Sequence, residues 1–360
     1  PTVTEEEEVL YEHLREPDIF ATLVLVYDSL NDSARRDYVL QMLDAKQVYS
    51  KDANGNLLTY ALKNGRHDLA DDVLSNTNNI NVSMALSEVL QKYPDGDKKR
   101  EHIADLIKTH ALAHEDCAVI EKYLTSPSDS IDTKATVINA AVANGMDVSL
   151  EFVVRNILPV AGNENTLSIL DAYCSKKLVD DDVFRILNFA CTCKDSKTAV
   201  GALDCLKRGN QYVLVPSKTV IAMLSERDLT ASDKISILDK LFEFKVEAKS
   251  VEAVMTNYLC FNQDPVATRK EVILYLLDKS PQLPTSTVQN YVLKCAVDGN
   301  EKPAIVKAIF DKGLNTSFFN ELLSKYMNSS TDSNEVKAEI TDILSGGGLK
   351  IDPSSFIEYI

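Results

Sequence analysis

The residues best suited to chemistry are few. His110 and His114 lie four apart, one helical turn, and Cys117 follows three later. Imidazole and thiolate on one helix face are zinc ligands in type, and His102, eight before His110, falls on a similar face. A structural zinc site normally closes with four Cys or His ligands, and here only Glu115 and Asp116 stand near as a fourth. The pattern therefore predicts a partly solvated histidine pair beside a buried cysteine, with no metal and no other cofactor. Cys191-Thr192-Cys193 is weaker still. Alternate residues of a helix point to different faces, so one cysteine is expected in the core and one at the surface.

Acidic clusters are the next candidates. Catalysis by paired carboxylates needs one raised pKa in a shared cleft. Nothing in the sequence places Asp71-Asp72 or Asp180-Asp181-Asp182 in one. The latter three are expected to open a helix running through Phe184 and Leu187, where carboxylates favour the positive end of the dipole. Glu5 to Glu8, after Thr4, carry the same signature, with Thr4 as cap and Glu7 completing a capping box. Gly346-Gly347-Gly348 lacks the Lys-Ser/Thr of a phosphate loop and is expected to end a helix after Leu344. No Gly-x-Ser-x-Gly nucleophile elbow occurs. No catalytic, cofactor-binding or metal residue is assigned.

The elements that would carry these residues are helical. The chain has 360 residues, 45% of them apolar and 26% charged, with only 12 Gly and 11 Pro. Average usage would give roughly 7% Gly and 5% Pro, so both breakers are scarce. Apolar residues recur at three and four, as in Ile235, Leu238, Leu241 and Phe242. Each run is about ten residues long and ends in a polar or Gly-containing break. Short helices with tight connections imply antiparallel pairs.

These pairs recur. Leu206, Leu241, Leu277, Phe310 and Leu344 mark second helices at gaps of 35, 36, 33 and 34. Leu187, Ile221, Val254, Tyr291 and Leu322 mark first helices at gaps of 34, 33, 37 and 31. Ser168-Ile169-Leu170-Asp171 returns as Ser236-Ile237-Leu238-Asp239, and Leu74 and Ile107 lie 33 apart. One such pair cannot bury its own apolar face and must stack on the next. The expected fold is all-α, an α-solenoid of about 9–10 stacked helix pairs with a step of about 34 residues. The expected divisions are N-terminal capping helices at 1–33, helical repeats at 34–114, an irregular region at 115–165, further repeats at 166–345 and a cap at 346–360.

Three segments resemble ankyrin repeats. They are Leu58-Thr59-Tyr60-Ala61-Leu62-Lys63-Asn64-Gly65 followed by Leu69 to Leu74, Ala140-Ala141-Val142-Ala143-Asn144-Gly145, and Ala296-Val297-Asp298-Gly299-Asn300 followed by Ile305 to Gly313. The resemblance implies a small residue that lets the two helices approach and a left-handed Gly that ends a helix. The array is degenerate. Asn56-Leu57-Leu58-Thr59 stands where the family has Thr-Pro-Leu-His, and Asn76-Thr77-Asn78 and Gly313-Leu314-Asn315 stand where its β-hairpin fingers begin. Tetratricopeptide-like and pentatricopeptide-like pairs are the alternatives; Asn165 to Leu178 has the look of the latter.

The net charge of −16 repels phosphate backbones and anionic lipid, so nucleic acid is not the expected partner. The densest basic cluster, Lys98-Lys99-Arg100, lies beside Asp95, Asp97 and Glu101 and is expected to be a solvated helix start. Seven cysteines, mostly within apolar helical runs, indicate a reduced compartment, cytoplasmic or nucleocytoplasmic, or a host cytoplasm for a delivered effector. The longest mainly apolar run, Ile19 to Tyr27, is far short of the roughly 20 residues that span a bilayer, so no membrane insertion is expected. The expected function is non-enzymatic: an adaptor or scaffold, monomeric when free, that binds a protein with a basic surface. Tyr60, Lys63, Asn64, Arg66 and His67, on a first helix and its adjoining loop, are the expected contact residues. The rivals are a helical-toroid enzyme, which requires a convergent cluster in a pocket, and a helix-pair RNA-binding protein, which requires a basic inner face.

Overall fold

The computed structural model describes residues 26–30, 36, 57–76, 82–109, 114–246, 248–261, 263–279, 285–294, 301–312, 319–329 and 332–346. The capping box expected at Thr4 to Glu8, most of the apolar run from Ile19, the finger positions Thr77-Asn78 and Gly313 to Asn315, Cys295, Gly299 and the turn at Gly347-Gly348 lie outside these residues.

The described residues are helical almost throughout, and contacts divide the chain into two units, Pro1–Tyr173 and Cys174–Ile360. The first contains α1 (Leu57–Lys63), α2 (His67–Asn76), α3 (Val82–Lys92), α4 (Asp97–Thr109), α5 (His114–Leu124), α6 (Ile131–Ala143), α7 (Leu150–Asn156) and nearly all of α8 (Gly162–Cys174). The second contains α9 (Asp180–Thr192), α10 (Ser196–Arg208), α11 (Ser217–Leu224), α12 (Ala231–Phe242), α13 (Ala248–Phe261), α14 (Val266–Lys279), α15 (Thr285–Lys294), α16 (Glu301–Asp311), α17 (Phe319–Ser329) and α18 (Asn334–Gly346).

Local chemistry sets the helix ends. Ser130, Ser149 and Asp195 accept backbone N–H groups at the starts of α6, α7 and α10, and Thr230 with Asp233 forms a complete capping box on α12. Asp180, Asp181 and Asp182 occupy the first turn of α9, as their sequence predicts. Two C-terminal caps are copies of each other. Gly65 and Gly145 both take positive φ, +69° and +86°. The residue after each donates to the carbonyl five back, Arg66 to Ala61 and Met146 to Ala141. The preceding Asn64 and Asn144 donate their side-chain amides to Tyr60 O and Ala140 O, both at 2.8 Å. Ala61 and Ala141, the small residues of these helices, are fully buried.

Helices pack in succession within each unit. In the second, the first helices α9, α11, α13, α15 and α17 each touch the next, and so do the second helices α10, α12, α14, α16 and α18. In the first, α1, α3 and α5 follow one another in the same way, and α4 packs on α6. Leu206, Leu241, Leu277 and Leu344 are buried, as are Leu187, Val254, Tyr291 and Leu322, so most of the apolar markers lie in the core between helices, while Ile221 and Phe310 are half-buried. One local break falls within 115–165. Leu158-Pro159-Val160 follows α7 as a 3₁₀ turn, and Pro159 lacks the N–H that an extension of α7 would use.

Strand is confined, among the described residues, to two dipeptides. Leu214-Val215 (β1, after α10) and Lys245-Val246 (β2, after α12) pair in parallel, Leu214 opposite Lys245 and Val215 opposite Val246. Both follow second helices. No helix among the described residues is long and apolar enough to cross a membrane.

Candidate functional site

The expected contact residues converge on the turn between α1 and α2. Tyr60 lies in α1, Lys63 is its exposed last residue, and Asn64 closes the cap described above. Arg66 is already engaged. Its guanidinium donates twice to Asp28, at 2.9 and 2.6 Å, and twice to Asp68, at 3.0 and 2.8 Å. Hydrogen bonding to Arg66 holds both carboxyls below their usual range. His67 opens α2 with its Nδ1 buried and without a hydrogen-bond partner, and its ring lies 5.5 Å from that of Tyr93. Lys63 thus presents its charge to solvent, whereas Arg66 spends its own on holding the turn.

Beside this strip, Asp71 of α2 gathers three donors. Tyr93 Oη and Lys98 Nζ donate to it, and His102 Nε2 pairs with it at 2.8 Å. The Tyr93 ring sits between His67 and His102, 5.3 Å from the latter. Burial raises the Asp71 pKa, but bonds from Lys98, Tyr93 and His102 outweigh it, and the carboxyl titrates below its ordinary value. Burial, then the bond to Asp71, push the Tyr93 phenol up. An ionised carboxylate with its oxygens taken by three donors is a poor general base. It fastens α2 to α4. Tyr27 makes a similar bond to Asp72.

Nε2 of His102 is thus engaged with the Asp71 carboxylate. Cys117 is buried, while His110 and the side chain of His114 lie outside the described residues. Among the described residues no group of three or more His, Cys, Asp or Glu could hold a metal ion. Cys191 is fully buried, with its thiol pushed up to about 12 by desolvation; Cys193, which lies just past the end of α9 in extended backbone, is half-buried and not at the surface as expected.

The most regular polar feature leaves no local motif in the sequence. Three lysines near the starts of second helices, Lys99, Lys234 and Lys302, are at most 1% exposed. Each pairs with an aspartate at a constant sequence offset of 30: Asp129 at 2.6 Å, Asp264, and Asp332 at 2.6 Å. Each aspartate also accepts the hydroxyl of the tyrosine six residues before it: Tyr123, Tyr258 at 2.6 Å and Tyr326 at 2.7 Å. Each ammonium lies over that tyrosine's ring, 5.5, 5.9 and 5.8 Å from its centroid. Each also donates to carbonyls ending the preceding helix: Leu90 and Tyr93 at 2.9 Å, Leu224 at 2.8 Å, and Val292 at 3.1 Å. Burial, then the aspartate bond, push the Tyr123 and Tyr258 phenols up.

This corrects the expectation for Lys98-Lys99-Arg100. Lys98 is solvated, but Lys99 is a core residue. A lone buried ammonium would be prohibitive; with a carboxylate, carbonyls and a ring face around it, its donors are met. The signal was present as one spacing of Lys, Tyr and Asp that occurs three times: Lys99, Tyr123 and Asp129, then Lys234, Tyr258 and Asp264, then Lys302, Tyr326 and Asp332. Local motifs do not reveal it, because each lysine stands a whole helix away from its tyrosine and aspartate.

Arg269 continues the pattern in altered form, reaching Glu301 at 3.1 Å. Nearer the surface, Lys194–Asp228, Lys207–Glu243 and Lys312–Asp278 span 34, 36 and 34 residues. No family model, no curated protein and no solved structure matches the chain.

Proposed function

We propose that this chain is a helical-repeat interaction protein, a non-enzymatic scaffold whose stacked pairs form an α-solenoid with a step of about 34 residues, ankyrin-like in its helix caps. The observation that carries this reading is the run of links with buried cations, Lys234–Asp264, Arg269–Glu301 and Lys302–Asp332. Their cations recur near the heads of α12, α14 and α16, at gaps of 35 and 33. Such links hold consecutive pairs at a constant offset, and equivalent surface positions then recur as an extended face suited to a protein partner. With a net charge of −16, the favoured partner has a basic surface, and association slows as salt rises. The polar groups around Asp71 support the same reading, since they are used to fasten helices to one another.

The contact strip is tested by Lys63→Glu with Tyr60→Ala. Both changes leave the Arg66 ties to Asp28 and Asp68 in place. Proteins that crosslink to the native chain in a salt-sensitive, saturable manner should be lost from this variant, while its helical circular dichroism is kept. Identical partners for both chains remove this strip. Failure of the native chain to form any saturable protein complex removes the scaffold reading.

A further inference from the structure

The triads join more than two helices each. Lys302 sits on α16, its ammonium holds Val292 O in the last turns of α15, Tyr326 lies on α17, and Asp332 stands just ahead of α18. Lys234 repeats the arrangement with α12, Leu224 of α11, Tyr258 of α13 and Asp264 ahead of α14. Between them, Arg269 of α14 reaches Glu301, the first residue of α16. The heads of α14 and α16 therefore each carry an acid that serves the pair before and a cation that serves the pair after: Asp264 with Arg269, and Glu301 with Lys302.

The two kinds of contact between pairs respond differently to opening. Apolar packing is lost in proportion to the area exposed. A buried ion pair is not: withdrawing one partner leaves the other charge desolvated and unmatched, at a cost larger than the pair's own net worth. If α17 and α18 moved away alone, Lys302 would remain in a core site without its carboxylate. The same would then apply to Arg269 on loss of Glu301, and to Lys234 on loss of Asp264. We propose that this chain of buried charges is a coupling device that makes α11 to α18 open as one body, so that a disturbance at one end is transmitted to helices it does not touch. This concerns the free chain and is independent of its binding partner.

Hydrogen exchange on the full chain tests it. Leu344→Ala creates a cavity under α18, which packs on α16 and α17 and is far in sequence from α14. In the native background it should speed exchange in α14 about as much as in α18, by tenfold or more. In a chain carrying Lys302→Met, Tyr326→Phe and Asp332→Leu, which keeps the volume and removes the charges, the same change should speed exchange in α17 and α18 while leaving α14 within twofold. An equal effect on α14 in both backgrounds means that apolar packing carries the coupling and overturns the proposal. An effect confined to α17 and α18 in the native background overturns it without reference to the charge-free chain. Where Leu344→Ala abolishes protection in α18 outright, Leu344→Val applies the same disturbance at smaller size.

Discussion

Two stretches of the second unit solve one problem in different ways. At the head of α12, Lys234 reaches across to Asp264 of the next pair. At the corresponding place in α10 stands Ala199, and the residue before it, Thr198, turns back on its own cap, donating its N–H at 3.0 Å and its hydroxyl to Asp195. The pair α9–α10 is instead tied through neutral groups and the surface. Gln211 donates to Lys176 O at 2.6 Å and Gly209 O at 3.0 Å, and accepts from Leu178 N at 3.2 Å. Ser196 donates to Asp233, and Lys207 pairs with Glu243. A neutral tie can be replaced piecemeal by water, whereas a buried charge must be matched or the site fails. The neutral arrangement tolerates local movement; the charged one resists it.

The largest effect that separates them is Lys234→Met, which strands Asp264 in the core. It should cost about 3–5 kcal/mol, read as a lowered urea midpoint of the second unit. A loss under about 1 kcal/mol would place Lys234 with the ordinary surface ties. Next is Gly209→Ala. A Cβ there would overlap the Cys174 carbonyl oxygen, so the loop after α10 must shift, at about 1–3 kcal/mol in thermal unfolding. An unchanged melting temperature would show that this loop is loosely held. Thr198→Val removes one hydroxyl bond within a helix head and should cost about 1 kcal/mol, with no change in exchange beyond α9 and α10.

The same contrast has a pH form in the first unit. Asp95 accepts Ser130 N at 2.9 Å and Thr133 Oγ1. Burial opposes its ionisation, but the bonds from Thr133 and Ser130 prevail and lower its pKa to about 2. A depressed carboxyl adds stability that is complete above its unfolded pKa, about 4, and fades as pH falls through the folded value. Asp95→Asn should therefore flatten the acid limb of stability between pH 4 and about 2; an unaltered limb would assign the acid sensitivity elsewhere. The smallest effect belongs to Lys194→Ala. Its ammonium is solvent-exposed in the pair with Asp228, and the unfolding midpoint should not move measurably.

Local chemistry was legible in the sequence. The caps at Gly65 and Gly145 and the acidic start of α9 each depend on neighbours within one or two turns. The succession of packed helices followed from apolar residues whose burial requires only that helices stack. Lys99 was misread because a run of three basic residues beside acids has the composition of a wet surface. Its burial is decided by Tyr123 and Asp129, which lie a helix away in the chain. Arg66 was legible as a surface residue but not as the ligand of Asp28, 38 residues before it. His102 showed its chemical type, while its partner Asp71 was fixed only by how α2 and α4 pack.

The double character of the α14 and α16 heads bears on how such a chain can change in length. Each brings an acceptor for the pair ahead of it and a donor for the pair behind. A chain lacking residues 269–301 would join Thr268 to Lys302, so that Asp264 still meets Lys234 and Lys302 still meets Asp332. No buried charge of these links would be orphaned by the excision, although at the surface Lys312 would lose Asp278 and Asp239 would lose Lys279. Inserting a further copy of the same segment would likewise leave the buried links matched, so segments of this length could be gained or lost in single steps without stranding a charge in the core.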